Sequence, residues 1–282
     1  MPDPKRVLTT LQQAARWLRA TPGRTGRFTR LPVGVEVLVA GDLHGSVENF
    51  RLVLGAADLG KQPQRHLVLQ ELVHGPFAYP DQGGDKSHQL LDLVAALKCQ
   101  FPSQVHYLLG NHELAQWQNQ RIGKGDIAQN QWFALGVETA YGDHAAAIYA
   151  AYLDLFDAAD LALRTANRVF ISHTYPSPRH LPNFDLTALE KAELQPVDKT
   201  LGGAVHALVW SRDHSQANVE AFLQKVDADL IVTGHIPCEQ GYATPNDRQL
   251  ILDALGTPAC YCLFPTDRPL TLDDLVGCVR TL

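Results

Sequence analysis

Five short runs of the chain place side chains that can bind metal ions directly after hydrophobic, strand-like segments. The runs are residues 41–45, 70–71, 110–113, 172–173 and 234–235, and the segments before them are 35–40, 66–69, 105–109, 168–171 and 230–232. Because the carboxyl ends of strands in an α/β sheet open onto one crevice, we expect these side chains to converge. Carboxylate, imidazole and amide groups together suit a pair of divalent cations that catalyse hydrolysis.

The first run, Gly41-Asp42-Leu43-His44-Gly45, carries two candidate metal ligands two residues apart. The flanking glycines allow the sharp turn that would aim Asp42 and His44 into one site. His173 and His235 each end a β-rich segment, and their placement adds two imidazoles to the predicted cluster.

The third run, Asn111-His112-Glu113, combines three functions in three residues. The amide oxygen of Asn111 can bind a hard metal ion. His112 can stay free of the metal and protonate a leaving oxygen as a general acid. Glu113 could orient the His112 ring through a hydrogen bond, a role for which Asp81, Asp85 and Asp213 are alternatives.

Composition and charge narrow the class of protein. The chain has 282 residues, 45% of them apolar, and a formal net charge of −6. That charge disfavours nonspecific nucleic-acid binding, which depends on neutralising phosphates. Five cysteines without a Cys-x-x-Cys pair predict free thiols. No apolar run of 18 residues exists and residues 1–20 lack a signal-peptide core, so we expect a cytoplasmic protein that does not bind membranes.

The hydrophobic pattern predicts a single α/β domain over residues 1–282, with two packed mixed sheets flanked by helices in an α-β-β-α sandwich. Strands are expected at 35–40, 66–69 and 105–109, and in the second half of the chain at 168–172, 205–210, 230–233, 249–254 and 259–264. Helices are expected at 4–20 (within an N-terminal helical segment, 1–22), 47–57, 87–98 and 218–226. Residues 114–165 are predicted to be a helical insertion, 74–85 a loop, and the start of the sheet parallel.

The order of these motifs resembles the calcineurin-like metallophosphoesterase superfamily. Three further runs resemble its PPP-type serine/threonine phosphatases: 172–178 (SHTYPSP), 208–213 (LVWSRD) and His235 followed by Gly241-Tyr242. The resemblance implies that Asp42, His44 and His235 hold one divalent ion and that Asn111 and His173 hold the other. Mixed oxygen and nitrogen ligands admit manganese, iron or zinc. The resemblance also implies hydrolysis of a phosphorylated small molecule or phosphoprotein, with His112 serving the leaving group.

The second motif departs from this family, which has Gly-Asp-x-x-Asp-Arg-Gly where the chain has Gln70-Glu71-Leu72-Val73-His74-Gly75. The metal-bridging position falls on Glu71 when the strands are matched and on Gln70 when residues are counted from Asp42 without a gap. Asp85 is a third candidate. A carboxylate offsets the repulsion between two cations, which favours Glu71.

The phosphate-binding arginine of that motif is also missing. His74, Lys86 or Arg212 could replace it, and we favour Arg212 because a guanidinium binds phosphate through two hydrogen bonds. From the resemblance as a whole, a metal-dependent phosphomonoesterase is the leading hypothesis. The alternatives are a diadenosine-tetraphosphate or nucleotide pyrophosphohydrolase and a weakened pseudophosphatase that binds a phosphorylated partner.

Overall fold

Two β-sheets pack face to face in the computed structural model, which describes residues 3–123, 128–191 and 193–282. The strands are β1 Arg24–Thr25, β2 Phe28–Leu31, β3 Glu36–Asp42, β4 Arg65–Gln70, β5 Val105–Leu108, β6 Ala162–Thr165, β7 Val169–Ser172, β8 Leu230–Thr233, β9 Tyr242–Asn246, β10 Gln249–Leu252, β11 Cys260–Pro265 and β12 Val279–Thr281. One sheet has the order β12-β11-β3-β4-β5, and the other has the order β1-β2-β6-β7-β8-β10-β9. The predicted parallel start is confirmed, since β3, β4 and β5 run parallel.

Helices pack against the outer faces of the two sheets, except the last one, whose Leu275 lies in the core between the sheets. The helices are α1 Pro4–Arg19, α2 Val47–Ala57, α3 His88–Gln100, α4 Asn111–Trp117, α5 Gln129–Tyr141, α6 Ala145–Ala158, α7 Ala204–Trp210, α8 Gln216–Lys225 and α9 Leu272–Gly277. Because side chains alternate along a strand, the central strands face the other sheet on one side and the helices on the other. Val37 and Val39 of β3 point into the core between the sheets, whereas Leu38 and Ala40 contact the helical layer. The predicted fold class is confirmed.

The predicted helices 4–20 and 47–57 correspond to α1 and α2, and the five predicted strands that precede the motifs are all present. Ser46 begins α2 as expected, because its hydroxyl accepts a hydrogen bond from the backbone N–H of Asn49 at 3.3 Å. The five cysteines are free thiols, as predicted. In the described part of the chain, every helix is too short or too polar to cross a bilayer.

The strand predicted at 205–210 is wrong, because these residues form α7. A short apolar run satisfies either secondary structure, and here Val205, Leu208 and Val209 lie buried at the spacing of one helical face. The segment 114–165 contains α5, α6 and most of α4, but its last residues form β6, which pairs with β2 and β7. Residues 124–127 of this segment lie outside the described residues.

Candidate metal centre

The predicted metal ligands lie at the carboxyl ends of β3, β4, β7 and β8 and at the start of α4, which follows β5. Asp42 is the last residue of β3, and Glu71, His173 and His235 each lie one or two residues beyond a strand. Three of the residues in the cluster, His44, Glu71 and His235, have positive φ angles of 41°, 42° and 71°. Such backbone strain is concentrated at functional sites, where the surrounding structure holds it.

One group of ligand atoms surrounds the Nε2 atom of His173. Glu71 Oε2, Asn111 Oδ1 and His235 Nδ1 each lie 3.1 Å from it. The opposite ring nitrogen of His173 faces Gln70 Oε1 at 3.1 Å, and this amide oxygen accepts the Nδ1 proton. His173 Nε2 therefore carries a lone pair, and its repulsion from an ionised Glu71 carboxylate is relieved when a cation lies between them. This donor set fits a divalent metal ion.

A second group adjoins the first through Glu71. His44 Nε2 lies 3.8 Å from Glu71 Oε2. The Nδ1 atom of His44 lies 3.2 Å from the carbonyl oxygen of Val73, which accepts its proton and leaves Nε2 free for a metal ion. Asp42 lies beside the first group, since its Oδ1 atom is 3.7 Å from Nδ1 of His173, and its carboxylate is close enough to that of Glu71 to affect its pKa. Both carboxylate oxygens of Asp42 accept the backbone N–H of His235, at 3.1 and 2.9 Å.

The structure separates the three candidates for the bridging position. Glu71 is the residue whose carboxylate lies between the two groups, whereas Gln70 supports His173 from behind. Asp85 lies elsewhere: it accepts hydrogen bonds from the backbone N–H groups of Gly75 and Ser87 and from the Ser87 hydroxyl. His235 lies with Asn111 and His173, which differs from the expected grouping with His44.

Burial shapes the electrostatics of the metal-free cluster. Removal from water raises the pKa of Glu71 to about 8 and raises the pKa of Asp42 well above its usual value. The adjacent Glu71 carboxylate adds to the rise at Asp42. Burial lowers the pKa of His44 to about 4 and also lowers that of His173. Two buried carboxylates that resist ionisation and imidazoles that stay neutral form a site that a dication stabilises.

Glu113 has a different role from the one we expected. Its Oε1 atom accepts the backbone N–H groups of Leu72 and Val73 at 2.7 and 3.2 Å, and Oε2 accepts that of Gly110 at 3.1 Å. The carboxylate thus ties the segment after Glu71 to the residue before Asn111. Gly110 is required at this point, because a Cβ atom there would lie 2.6 Å from Glu71 Oε1. Glu113 therefore positions two ligand segments, and the hydrogen bonds that the structure gives its carboxylate go to backbone N–H groups and not to the His112 ring.

His112 borders the second ligand group. One of its ring nitrogens lies within 4.8 Å of ligand atoms of His44 and Glu71, and its ring packs edge-to-face on His44 with centres 5.0 Å apart. Its Nδ1 atom lies 3.1 Å from Nδ1 of His74. The sequence did not reveal this contact, nor Gln116, whose Oε1 atom lies 2.6 Å from Nε2 of His74. The i, i+4 spacing of His112 and Gln116 on α4 was the available signal.

The three residues that could replace the phosphate-binding arginine lie in different surroundings. His74 is buried against His112, and the ammonium group of Lys86 lies over the Tyr79 ring, 5.1 Å from its centre. Arg212 is exposed beyond α7, and its positive charge contributes to the lowered pKa values of His173 and His235, after burial. In the described part of the chain, no carboxylate oxygen lies within 4.0 Å of a nitrogen of its guanidinium.

The model of the calcineurin-like phosphoesterase family matches residues 35–239. The chain belongs to this family. Its matched segment begins one residue before β3 and ends shortly after His235, so it contains every ligand of the cluster.

Curated relatives agree with the resemblance to PPP-type phosphatases. The chain is 23% identical over 259 residues to serine/threonine-protein phosphatase 5 of Solanum lycopersicum, covering 85% of this chain and 41% of that protein. It is 25% identical over 250 residues to the serine/threonine-protein phosphatase PP2A-like PPG1 of Saccharomyces cerevisiae, covering 78% of this chain and 60% of that protein. The chain thus spans about two-fifths to three-fifths of the length of these relatives.

Solved structures share the fold. A serine/threonine phosphatase from Saccharomyces cerevisiae, described as similar to human PP5, superposes with a TM-score of 0.73 at 15% identity, covering 100% of this chain and 90% of that one. A cold-active protein-tyrosine phosphatase of a psychrophilic Shewanella species superposes with a TM-score of 0.58 at 14% identity, covering 90% of this chain and 82% of the other.

Proposed function

We propose that the protein is a metal-dependent phosphomonoesterase that binds two divalent cations, manganese, iron or zinc, and acts on phosphorylated small molecules or phosphoproteins. The observation that carries the proposal is the meeting of Glu71 Oε2, Asn111 Oδ1 and His235 Nδ1 around the unprotonated Nε2 of His173. Of these, Glu71 also faces His44 and so is placed to join two metal sites.

Each ligand has an assigned site in this proposal. Glu71, Asn111, His173 and His235 would hold one ion, and Asp42 and His44, with Glu71, would hold the other. When bound, two such ions supply a water molecule of lowered pKa and neutralise charge on the attacking and leaving oxygens of phosphate. Gln70 and the Val73 carbonyl keep the correct ring nitrogens of His173 and His44 free for metal.

Two further residues, Arg212 and His112, are proposed to act on the substrate. Arg212 is exposed, its charge lowers the pKa values of His173 and His235, and in this proposal its planar guanidinium binds two phosphate oxygens. His112 lies beside the cluster without occupying the first group of ligands, and it donates the proton that the leaving oxygen takes up as the P–O bond breaks. The phosphoprotein substrate class is suggested by the names of the curated relatives.

A substrate panel tests the proposal. The panel comprises 4-nitrophenyl phosphate, a phosphoserine peptide and a dinucleoside polyphosphate, each measured with and without chelator. We expect metal-dependent release of phosphate from the two monoesters. Cleavage of the dinucleoside polyphosphate alone would instead identify a pyrophosphohydrolase, and binding of the phosphopeptide without turnover would identify a pseudophosphatase.

The variant His112→Ala tests the general acid. We expect it to keep its metal ions and to lose at least about 100-fold in kcat on the phosphopeptide, the usual scale of acid–base catalysis. The exposed His144 gives a matched control, since His144→Ala removes an imidazole from the short helical turn between α5 and α6. Unchanged turnover in His112→Ala would remove His112 from the mechanism, and loss of metal would make it a ligand.

A further inference from the structure

Three uncharged side chains form a hydrogen-bonded series that begins at His112 and leads away from the metal cluster. His112 Nδ1 contacts His74 Nδ1 at 3.1 Å, and His74 Nε2 contacts Gln116 Oε1 at 2.6 Å. His74 and Gln116 are buried, with 4% and 1% of their surface exposed. The series starts in the first turn of α4, crosses to the segment after β4 and returns to α4 one turn later.

The far end of the series fixes the direction of every hydrogen bond in it. The amide nitrogen of Gln116 donates to the backbone carbonyl of Asn130 at 3.3 Å and also contacts the Tyr149 hydroxyl. A backbone carbonyl only accepts, so the Gln116 amide is oriented with its oxygen toward His74. That oxygen also only accepts, and His74 therefore carries a proton on Nε2.

The tautomer of His74 then determines that of His112. A neutral imidazole protonated on Nε2 has a lone pair on Nδ1. The contact between the two Nδ1 atoms is a hydrogen bond only if His112 carries the proton there. The remaining nitrogen of His112, Nε2, is then free to exchange a proton with the substrate.

We infer that His74, held in its tautomer by Gln116, is a positioning residue that keeps a proton on Nδ1 of His112 and so reserves Nε2 for exchange with the leaving oxygen. This inference rests on the proposed role of His112 as the general acid. In the reaction His112 first takes up a solvent proton on Nε2, and that proton passes to the leaving oxygen as water attacks phosphorus and the bond from phosphorus to the leaving oxygen breaks. His112 thereby returns to its neutral form with Nδ1–H intact, and solvent supplies the Nε2 proton for the next turnover.

The packing around His74 supports a positioning role over a substrate contact. Its ring lies edge-to-face against Phe133 of α5, with centres 5.8 Å apart, and edge-to-face against His112 at 5.3 Å. Both of its nitrogens are engaged by His112 and Gln116, so neither is available to a phosphate. The missing arginine of the second motif is therefore not replaced by His74.

A matched pair of substitutions separates hydrogen bonding from packing at position 74. Asn and Leu have nearly the same shape, and the Oδ1 atom of Asn can take the place of the imidazole Nδ1 as an acceptor. We expect His74→Asn to retain most of the wild-type kcat. His74→Leu should lose about 100-fold in kcat on phenyl phosphate, whose leaving group needs the proton, with little change in KM or metal content.

The leaving group provides the readout that a purely structural defect would not reproduce. 4-Nitrophenolate leaves without protonation more readily than phenolate, so His74→Leu should lose much less activity on 4-nitrophenyl phosphate. Gln116→Met, which removes only the acceptor at the outer end, should show the same preference in weaker form. Equal losses on both substrates, or a His74→Asn variant as slow as His74→Leu, would overturn the inference.

Ring ¹⁵N NMR of the metal-free protein tests the tautomer without any turnover. The signals that disappear in His112→Ala belong to His112, and we expect them to show Nδ1–H in the wild type and in His74→Asn. A wild-type His112 protonated on Nε2 alone refutes the inferred role of His74, even if the phosphatase activity is confirmed. Absence of activity with Nδ1–H present would instead refute the proposed function and leave the geometry of the series intact.

Discussion

Ionisation of the buried Glu71 carboxylate should destabilise the folded protein when no metal is bound. The carboxylate is buried to 1% exposure beside Asp42 and is placed to bridge two cations. In the metal-free protein, removal from water raises its pKa from 4.5 to about 8. Its ionisation therefore opposes folding unless metal is bound, and Glu71→Gln, which keeps the shape and removes the charge, should relieve this opposition.

The sign and size follow from proton linkage. The folded-state pKa lies above the unfolded-state value, so the folded chain binds more protons between about pH 4.5 and 8, and its free energy of unfolding falls as the pH rises through that window. At 1.36 kcal/mol per pKa unit, the change from about pH 5 to pH 8 amounts to about 3 kcal/mol. The metal-free Glu71→Gln variant lacks this contribution.

Urea unfolding of chelator-treated protein measures the effect. We expect Glu71→Gln to be more stable than the metal-free wild type by about 3 kcal/mol at pH 8 and to be nearly equal at pH 5. With metal present the order should reverse, because the variant loses the bridging charge. The exposed residue Glu138 supplies a control, since Glu138→Gln should change stability by less than about 0.5 kcal/mol at either pH. A Glu71→Gln difference that does not vary with pH would refute the reasoning.

Two further substitutions test the supports of the site. Glu113→Gln replaces one carboxylate oxygen with an N–H group, which then faces one of the three backbone donors, so we expect a loss of about 2 kcal/mol in unfolding free energy together with weaker metal binding. Unchanged stability in urea would contradict that assignment. Arg212→Lys removes the two-pronged contact to phosphate and should raise KM about 10-fold with a smaller change in kcat, whereas the exposed control Arg248→Lys should change neither. Equal KM values for Arg212→Lys and the wild type would exclude Arg212 from substrate binding.

The positions of the site residues could be predicted because each ligand follows a hydrophobic strand, and the sheet brings strand ends together. The choice between Gln70 and Glu71 could not, since consecutive residues at a strand end are both near the site. In the structure Glu71 has a positive φ of 42° and its carboxylate lies in the cluster, while Gln70 remains in β4 behind His173.

Contacts made by loops and by short helices were harder to foresee. The partner of His112 comes from the segment after β4, and the residue that fixes that partner, Gln116, lies one turn further along α4. Likewise, Glu113 looked like a partner for its neighbour His112, but on a helix adjacent residues point in different directions. The run 205–210 was misassigned for a related reason, because six apolar-rich residues do not define a period.

We propose that six residues from distant parts of the chain together hold two cations. The most direct measurement is a crystal structure of the metal-loaded protein with anomalous scattering recorded at the absorption edge of the bound metal. We predict two peaks that share Glu71, one among Asn111, His173 and His235 and the other between Asp42 and His44. A loaded crystal with no peak in contact with Glu71 would contradict the claim.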